Sequence, residues 1–326
     1  MTPSGEPERI LVIRLSALGD IIQALGPMAA IRRHHPRAHI TALTTKPYAA
    51  LLSASPYFDE VWIDSRPSLW NVRGWLDLRR RLRAGRFDRV YDLQTSDRTS
   101  FYFYALGPGP RPQWSGIARG CSHPHDNPRR DEMHVMDSRA EQLRMAGIPD
   151  TGAPDVSWLD ADISRFRLRQ PYVLFVPGGS AHRPEKIWPA ANYGVLGHEL
   201  VARGLTPVVL GTAPEKPLAE AIRAACPEAC DLVGDTSIAE IAALARGATA
   251  AVGGVTGPIH LIVAAGTPSV VLFSAASDPA QCGPRGAPVA YLRRDRLADL
   301  PVAEVSLALR NLVEPRNEAP PRLTGP

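Results

Sequence analysis

The chain has 326 residues, 44% hydrophobic and 21% charged, with a formal net charge of +4. Such a length exceeds a usual single core and points to two domains of a soluble globular protein. The small net charge argues against a general nucleic-acid binder, and no apolar run reaches the roughly 18 residues that span a bilayer.

The opening MTPSGEPERILVIRL has no basic segment followed by a long apolar one, so no secretory leader is expected. RILVIRL reads as a buried strand, SALGD as a turn and IIQALGPMAAIRRHHP as a helix. HITALTT, YAALLSASP and DEVWID continue as strand, helix and strand. Residues 73–89 carry seven arginines against Asp77 and Asp88, a helix that is either a solvated face or a basic surface for an anionic partner. DRVYDLQ is a fourth strand, residues 107–132 read as a long Pro- and Gly-rich loop, and HVMDSRAEQLRMAGI as a helix. Residues 151–170 read as a linker. A second strand–helix series then runs from PYVLFVPGG to PSVVLFS; beyond DPAQCGP only VAEVSLALRNLV is periodic, and EPRNEAPPRLTGP is a Pro-rich tail. Strands alternating with helices imply two α/β domains with parallel sheets, and ligands of such sheets bind beyond the carboxyl ends of the strands. The cleft between two such domains is the expected site.

Three stretches carry chemistry. RLSALGD places Asp20 at the start of a helix directly after the first strand, where it serves as an N-cap or a catalytic carboxylate. Neither GxGxxG nor GxxxxGK[ST] occurs there, so dinucleotide and P-loop chemistry are not supported. VPGGSAHRPEKIWP offers backbone amides around Gly178 and Gly179, the Ser180 hydroxyl and the Lys186 charge, groups suited to a diphosphate. GGVTGPIH puts Thr256, Gly257 and Pro258 at a strand-to-helix junction, with His260 one turn further; unpaired amides at such a junction attract anions. Ser237 and Glu240 read as a capping box. Four cysteines without CxxC spacing fit a reduced, cytoplasmic protein. Neither Cys226 with Cys230, nor Cys121 with His123 and His125, nor the Asp160–Asp162 pair forms a convincing metal set.

These stretches together resemble the heptosyltransferase family, glycosyltransferase family 9, over about residues 8 to 310. ILVIRLSALGDIIQALGPMAAIRRHHP is similar to the family's first strand, catalytic turn and helix, FVPGGSAHRPEKIWPAANYGVLGHEL to its second-domain entry, and VGDTSIAEIAALARGATAAVGGVTGPIHLIVAAGTPSVVLF to its donor-binding segment. The resemblance implies a GT-B fold of two Rossmann-like domains facing a cleft. Residues 1–165 would bind the acceptor, 166–313 the nucleotide sugar, and 314–326 form the tail. It implies inverting, metal-independent transfer of a sugar, typically heptose from ADP-heptose, to a lipopolysaccharide inner-core acceptor, with no cofactor.

Asp20 falls on the family's general base. Lys186 falls on the lysine at the donor phosphate, and Thr256, Gly257 and Pro258 on the diphosphate segment; Ser180 and His260 are grouped with them. Glu215 in GTAPEKP matches an acid that binds the donor ribose. An anionic glycolipid acceptor is expected at Arg79, Arg80 and Arg83 and at the 107–132 stretch, with peripheral contact at the inner face of the inner membrane. One departure stands out: the family commonly has an acid directly before Thr-Gly, and Val255 occupies that place here. Val255 cannot accept a hydrogen bond from a sugar hydroxyl, a loss on the order of 1–3 kcal/mol if the partner is buried. A relative with an altered donor, or one that only binds a nucleotide sugar or glycan, is the alternative this raises; a sugar-nucleotide epimerase is a third.

Overall fold

The structure, a computed structural model, describes residues 7–68, 70–107, 109–179 and 186–313. It divides into two compact units: Met1–Asp162 with Ser237–Ala243 and Asp278–Gly286, and Ile163–Thr236 with Leu244–Ser277 and Ala287–Pro326.

The first unit runs β1 (Arg9–Ile13), α1 (Leu18–His34), β2 (His39–Thr44), α2 (Lys46–Ala54), β3 (Glu60–Ile63), α3 (Val72–Ala84), β4 (Arg89–Asp92), α4 (Asp97–Ala105), β5 (Gln113–Gly116), β6 (His123–Pro124) and α5 (Val135–Met145). Its strands lie in the order β3-β2-β1-β4-β5-β6, and every pairing is parallel. The continuous apolar run of β1 suits a strand covered on both faces, and Leu11 and Ile13 pack with Val90, Tyr102 and Trp114 in one core.

From Tyr172 the chain runs β7 (Tyr172–Val176), α6 (Ala190–Ala202), β8 (Thr206–Val209), α7 (Lys216–Ala225), β9 (Cys230–Asp231), α8 (Ile238–Gly247), β10 (Ala250–Gly254), α9 (Gly257–Ala264), β11 (Ser269–Phe273), α10 (Pro279–Cys282), β12 (Val289–Arg293) and α11 (Val302–Val313). Of these, α10 and the first part of α8 belong to the first unit. The second sheet, β12-β11-β10-β7-β8-β9, is also wholly parallel. Counted from its own first strand it repeats the order of the first sheet. The α/β fold expected from the alternation is thus present twice.

Two expectations are corrected, and one segment left unassigned is filled. The 107–132 stretch is not one loop: β5 and β6 lie within it and extend the first sheet, and Trp114 of β5 is fully buried. The segment before it folds as α4, started by Ser96, whose hydroxyl accepts the Thr99 amide at 3.4 Å. Order also continues beyond α10, where β12 pairs with β11 across five residue pairs. The expected Ser237–Glu240 capping box is present, with reciprocal bonds of 2.8 and 3.2 Å.

Gly253 has a packing reason. A Cβ built there would lie 2.6 Å from both the Cβ and the carbonyl oxygen of Val176 on the neighbouring strand. Neither atom is the end of a flexible side chain, so Gly253→Ala must force β7 and β10 apart. The expected loss is about 1–3 kcal/mol, read as a lower urea midpoint; an unchanged midpoint would contradict the close approach.

Candidate active site

In the first unit the chain leaves β1 at Arg14, which is only 3% exposed. Its Nη1 donates to the Leu93 carbonyl at 2.7 Å, and its Nη2 pairs with Asp20 Oδ2 at 3.1 Å. The amide of Leu15 donates to Gln94 Oε1 at 2.9 Å. The turn after β1 is therefore tied to the turn after β4, the adjacent strand. Asp20 is the third residue of α1 rather than its N-cap, which is Ala17; Asp20 Oδ2 accepts the Ala17 amide at 3.1 Å. Its side chain remains 44% exposed.

Asp92, the last residue of β4, is fully buried; its Oδ1 accepts the amides of Gln94 and Thr95 at 3.1 Å each. Burial pushes its carboxyl up to about 6, against the opposing pull of Thr99, the Thr95 amide and Arg139. Burial also lowers the Arg14 guanidinium, opposed by Asp20 and Asp92, and brings Arg139 down to about 9, with the Arg14 charge adding to the effect. Arg14, Asp20, Gln94, Arg130 and Arg139 line a polar pocket of about 390 Å³. It holds three guanidinium groups against the carboxylates of Asp20 and Asp131 and so favours an anion.

The expected acceptor arginines fall elsewhere. Arg79 donates to the Ala105 carbonyl at 2.8 Å, Arg80 pairs with Asp77 at 3.2 Å, and Arg83 lines a separate cavity. From the 107–132 stretch, Arg130 and Asp131 do reach the Asp20 pocket.

In the second unit, β7 leads into Gly178 and Gly179, while Ser180 lies outside the described residues. Lys186 Nζ donates to Ser277 Oγ at 2.8 Å. Gly178, Gly179, Lys186, Val255, Thr256 and Ser277 line a small hollow of about 80 Å³. Thr256 is the N-cap of α9, Gly257 its first residue and Pro258 its second, where a missing amide costs nothing. The Thr256 hydroxyl is buried without a hydrogen-bond partner among the described residues. His260 is buried in α9 and does not line the hollow. Glu215 abuts Gly178, whose Cβ would lie 2.9 Å from Glu215 Cγ, and its Oε2 accepts the Thr212 amide at 2.7 Å. Among the described residues, one group has metal-ligating atoms within 4.8 Å of one another, His198, Cys226 and Glu228, and none of these lines either pocket.

The model of glycosyltransferase family 9 (heptosyltransferase) matches residues 75–301. The chain belongs to this family. The lipopolysaccharide core heptosyltransferase OpsX of Haemophilus influenzae is 24% identical over 82% of this chain and 79% of its own length. The lipopolysaccharide heptosyltransferase 2 of Escherichia coli is 25% identical over 82% of this chain and 83% of its own. Among solved structures, a family 9 glycosyl transferase from Veillonella parvula has a TM-score of 0.81 at 20% identity, covering 94% of this chain and 97% of that one. The E. coli ADP-heptose lps heptosyltransferase II has a TM-score of 0.75 at 21% identity, covering 94% and 98%.

In this family 9 glycosyltransferase the pocket beside Asp20 is lined by two residues that sequence reasoning passed over, Arg14 and Arg139. A signal for Arg14 was available: a charge placed directly after the apolar run of residues 10–13, in the turn that leads to Asp20. For Arg139, on an ordinary-looking amphipathic helix, there was none.

Asp92 yields a pH prediction. A carboxyl raised from 3.8 to about 6 favours the folded state as the neutral acid. That contribution is complete below about pH 4 and is lost as pH rises through about 6. Asn at this position has no proton to lose. Asp92→Asn should therefore gain stability relative to the parent between pH 4 and pH 7, by about 3 kcal/mol, compared by urea midpoints at each pH.

Proposed function

We propose that the enzyme transfers a sugar, with inversion, from a nucleoside-diphosphate sugar to an anionic glycolipid of the lipopolysaccharide inner core. The observation that carries this reading is Asp20, held by Arg14 and the Ala17 amide at the mouth of an arginine-rich pocket. The acceptor hydroxyl gives its proton to Asp20 as its oxygen attacks the anomeric carbon, and the bond from that carbon to the diphosphate oxygen breaks. In the second unit, Lys186 and the first amides of α9 take up the charge that develops on the departing nucleoside diphosphate. This assigns to the protein the stabilisation that a divalent cation gives in other transferases, so turnover should survive chelation. A lipid-borne acceptor would bring the enzyme to the inner face of the cytoplasmic membrane.

Asp20→Ala is expected to lower transfer by about 10²–10⁴-fold while calorimetric affinity for ADP stays within error. Lys186→Ala should instead weaken ADP binding by about tenfold or more. Equal turnover in Asp20→Ala would overturn the assigned base.

ADP-heptose is the leading donor, since the names of the relatives point to it, and Val255 sets the second reading. It lines the phosphate hollow where the family commonly carries an acid, so the cradle of amides is kept while a contact to the sugar is lost. Under this second reading the largest thermal shift in a panel of nucleotide sugars comes from a donor other than ADP-heptose. A shift with ADP-heptose larger than with every other donor would remove this second reading.

A further inference from the structure

Away from both pockets, three side chains of different metal-ligating chemistry meet: His198, Cys226 and Glu228, each with one ligand atom within 4.8 Å of the others. They come from two places in the chain. His198 lies on α6, Cys226 is the C-cap of α7, and Glu228 follows in the turn to β9. Two glycines bring those places together. A Cβ at Gly194 would overlap the Cβ of Ala225, and one at Gly197 would lie 2.9 Å from Cys226 Sγ. Positions 194 and 197 share one helix face, so α6 meets the end of α7 with no side chain of its own between them. His198, next in the chain, then stands beside the sulfur. Pro227 restricts the backbone between the other two residues, and the Ala229 amide closes the turn on the Cys226 carbonyl at 3.1 Å. Glu228 is thereby turned back on the thiol, with Oε2 3.8 Å from Sγ.

A buried cysteine is commonly a small apolar filler, and Cys226 does pack in the core of the second unit. A filler has no need of an imidazole and a carboxylate beside its sulfur. The Cys226–Glu228 contact is long for a hydrogen bond, and the His198 ring has no hydrogen-bond partner among the described residues. The three groups are close without satisfying one another. A divalent cation would satisfy all three, taking the place of the thiol proton, which leaves to solvent. Thiolate with imidazole and carboxylate selects zinc over magnesium or calcium. Bonds of about 2.0–2.3 Å in a tetrahedron set ligand atoms roughly 3.3–3.6 Å apart. Small rotations of His198 and Glu228, both exposed, are enough to reach that spacing. Cys226 has no exposure of its own, and its sulfur is reached by an ion passing between those two side chains. Gly197 also neighbours Pro207 near the start of β8, whereas the phosphate hollow follows the ends of β7 and β10.

We propose that His198, Cys226 and Glu228 bind one zinc ion, with water as the fourth ligand, and that the ion ties α6 to the turn between α7 and β9. Its role is to stabilise the second unit. None of the three residues lines either pocket, so the inference is independent of the proposed reaction.

The test uses the full chain, stripped of metal with a chelator and dialysed, with zinc added alone. Calorimetry should give one zinc per chain. Zinc at about a hundredfold excess over its dissociation constant should raise Tm by about 3–6 °C. His198→Gln and Glu228→Gln, both changes at exposed positions, should each weaken binding by about tenfold or more. With cobalt(II) in place of zinc, thiolate-to-metal charge-transfer absorption should appear in the parent and in Cys230→Ser and vanish in Cys226→Ser. Circular dichroism checks the folding of each, and if Cys226→Ser does not fold, the two exposed variants decide. Four results would each overturn the proposal: no zinc bound, unchanged affinity in both exposed variants, charge-transfer absorption that needs Cys230 and not Cys226, or zinc bound with Tm unmoved. Binding is measured without donor or acceptor, so its failure leaves the transfer reaction untouched.

Discussion

In each sheet the first strand lies between the second and the fourth, so the strand order reverses beside it. Right-handed crossovers then carry the chain away from these two central strands in opposite directions. The turns that follow them diverge, and the gap left at their carboxyl ends is not filled by the protein's own helices. In the first unit that gap falls between β1 and β4, and Arg14, Asp20 and Gln94 gather there. In the second it falls between β7 and β10, and Gly178, Lys186 and Thr256 gather there. The close contact of Gly253 with Val176 belongs to the same constraint, since it sets how near the two turns of the second unit begin.

The two gaps are equipped differently. The first relies on side chains. Its buried guanidinium is met by a carbonyl and a carboxylate, which oppose the effect of its burial, while burial alone raises the carboxyl of neighbouring Asp92. The second relies on backbone: glycine turns and the first turn of α9, helped by one lysine. Backbone amides cannot be removed by substitution of a side chain. A phosphate cradle of the proposed kind would therefore outlast changes such as Val255, whereas a replacement at Arg14 or Asp20 removes contacts that tie the first turn together.

The residues that were legible in the sequence share a local cause. Buried strands announce themselves as apolar runs, and Asp20, Lys186 and Thr256 follow such runs within a few residues. What escaped had causes distant in sequence. The strand Gln113–Gly116 is short and polar at one end, and becomes a strand only because β4 pairs with it. Arg139 enters the site because α5 packs near β5, which no periodicity in its own helix declares. Arg79, Arg80 and Arg83 were legible as a charged face, but their place relative to Asp20 depends on which end of the sheet α3 leaves uncovered. That is a property of topology and not of composition.

One detail of Asp20 bears on selectivity among the hydroxyls of a sugar. Both of its recorded interactions, to Arg14 and to the Ala17 amide, use Oδ2. On the proposed mechanism Oδ1 is thus the oxygen left to receive a proton, and its direction would be fixed by the turn rather than by the ligand. An acceptor with several hydroxyls of similar acidity need not be distinguished by their chemistry. It is enough that the pocket wall holds the ring in one pose and that a single lone pair points at one oxygen, so regiochemistry is decided by aim.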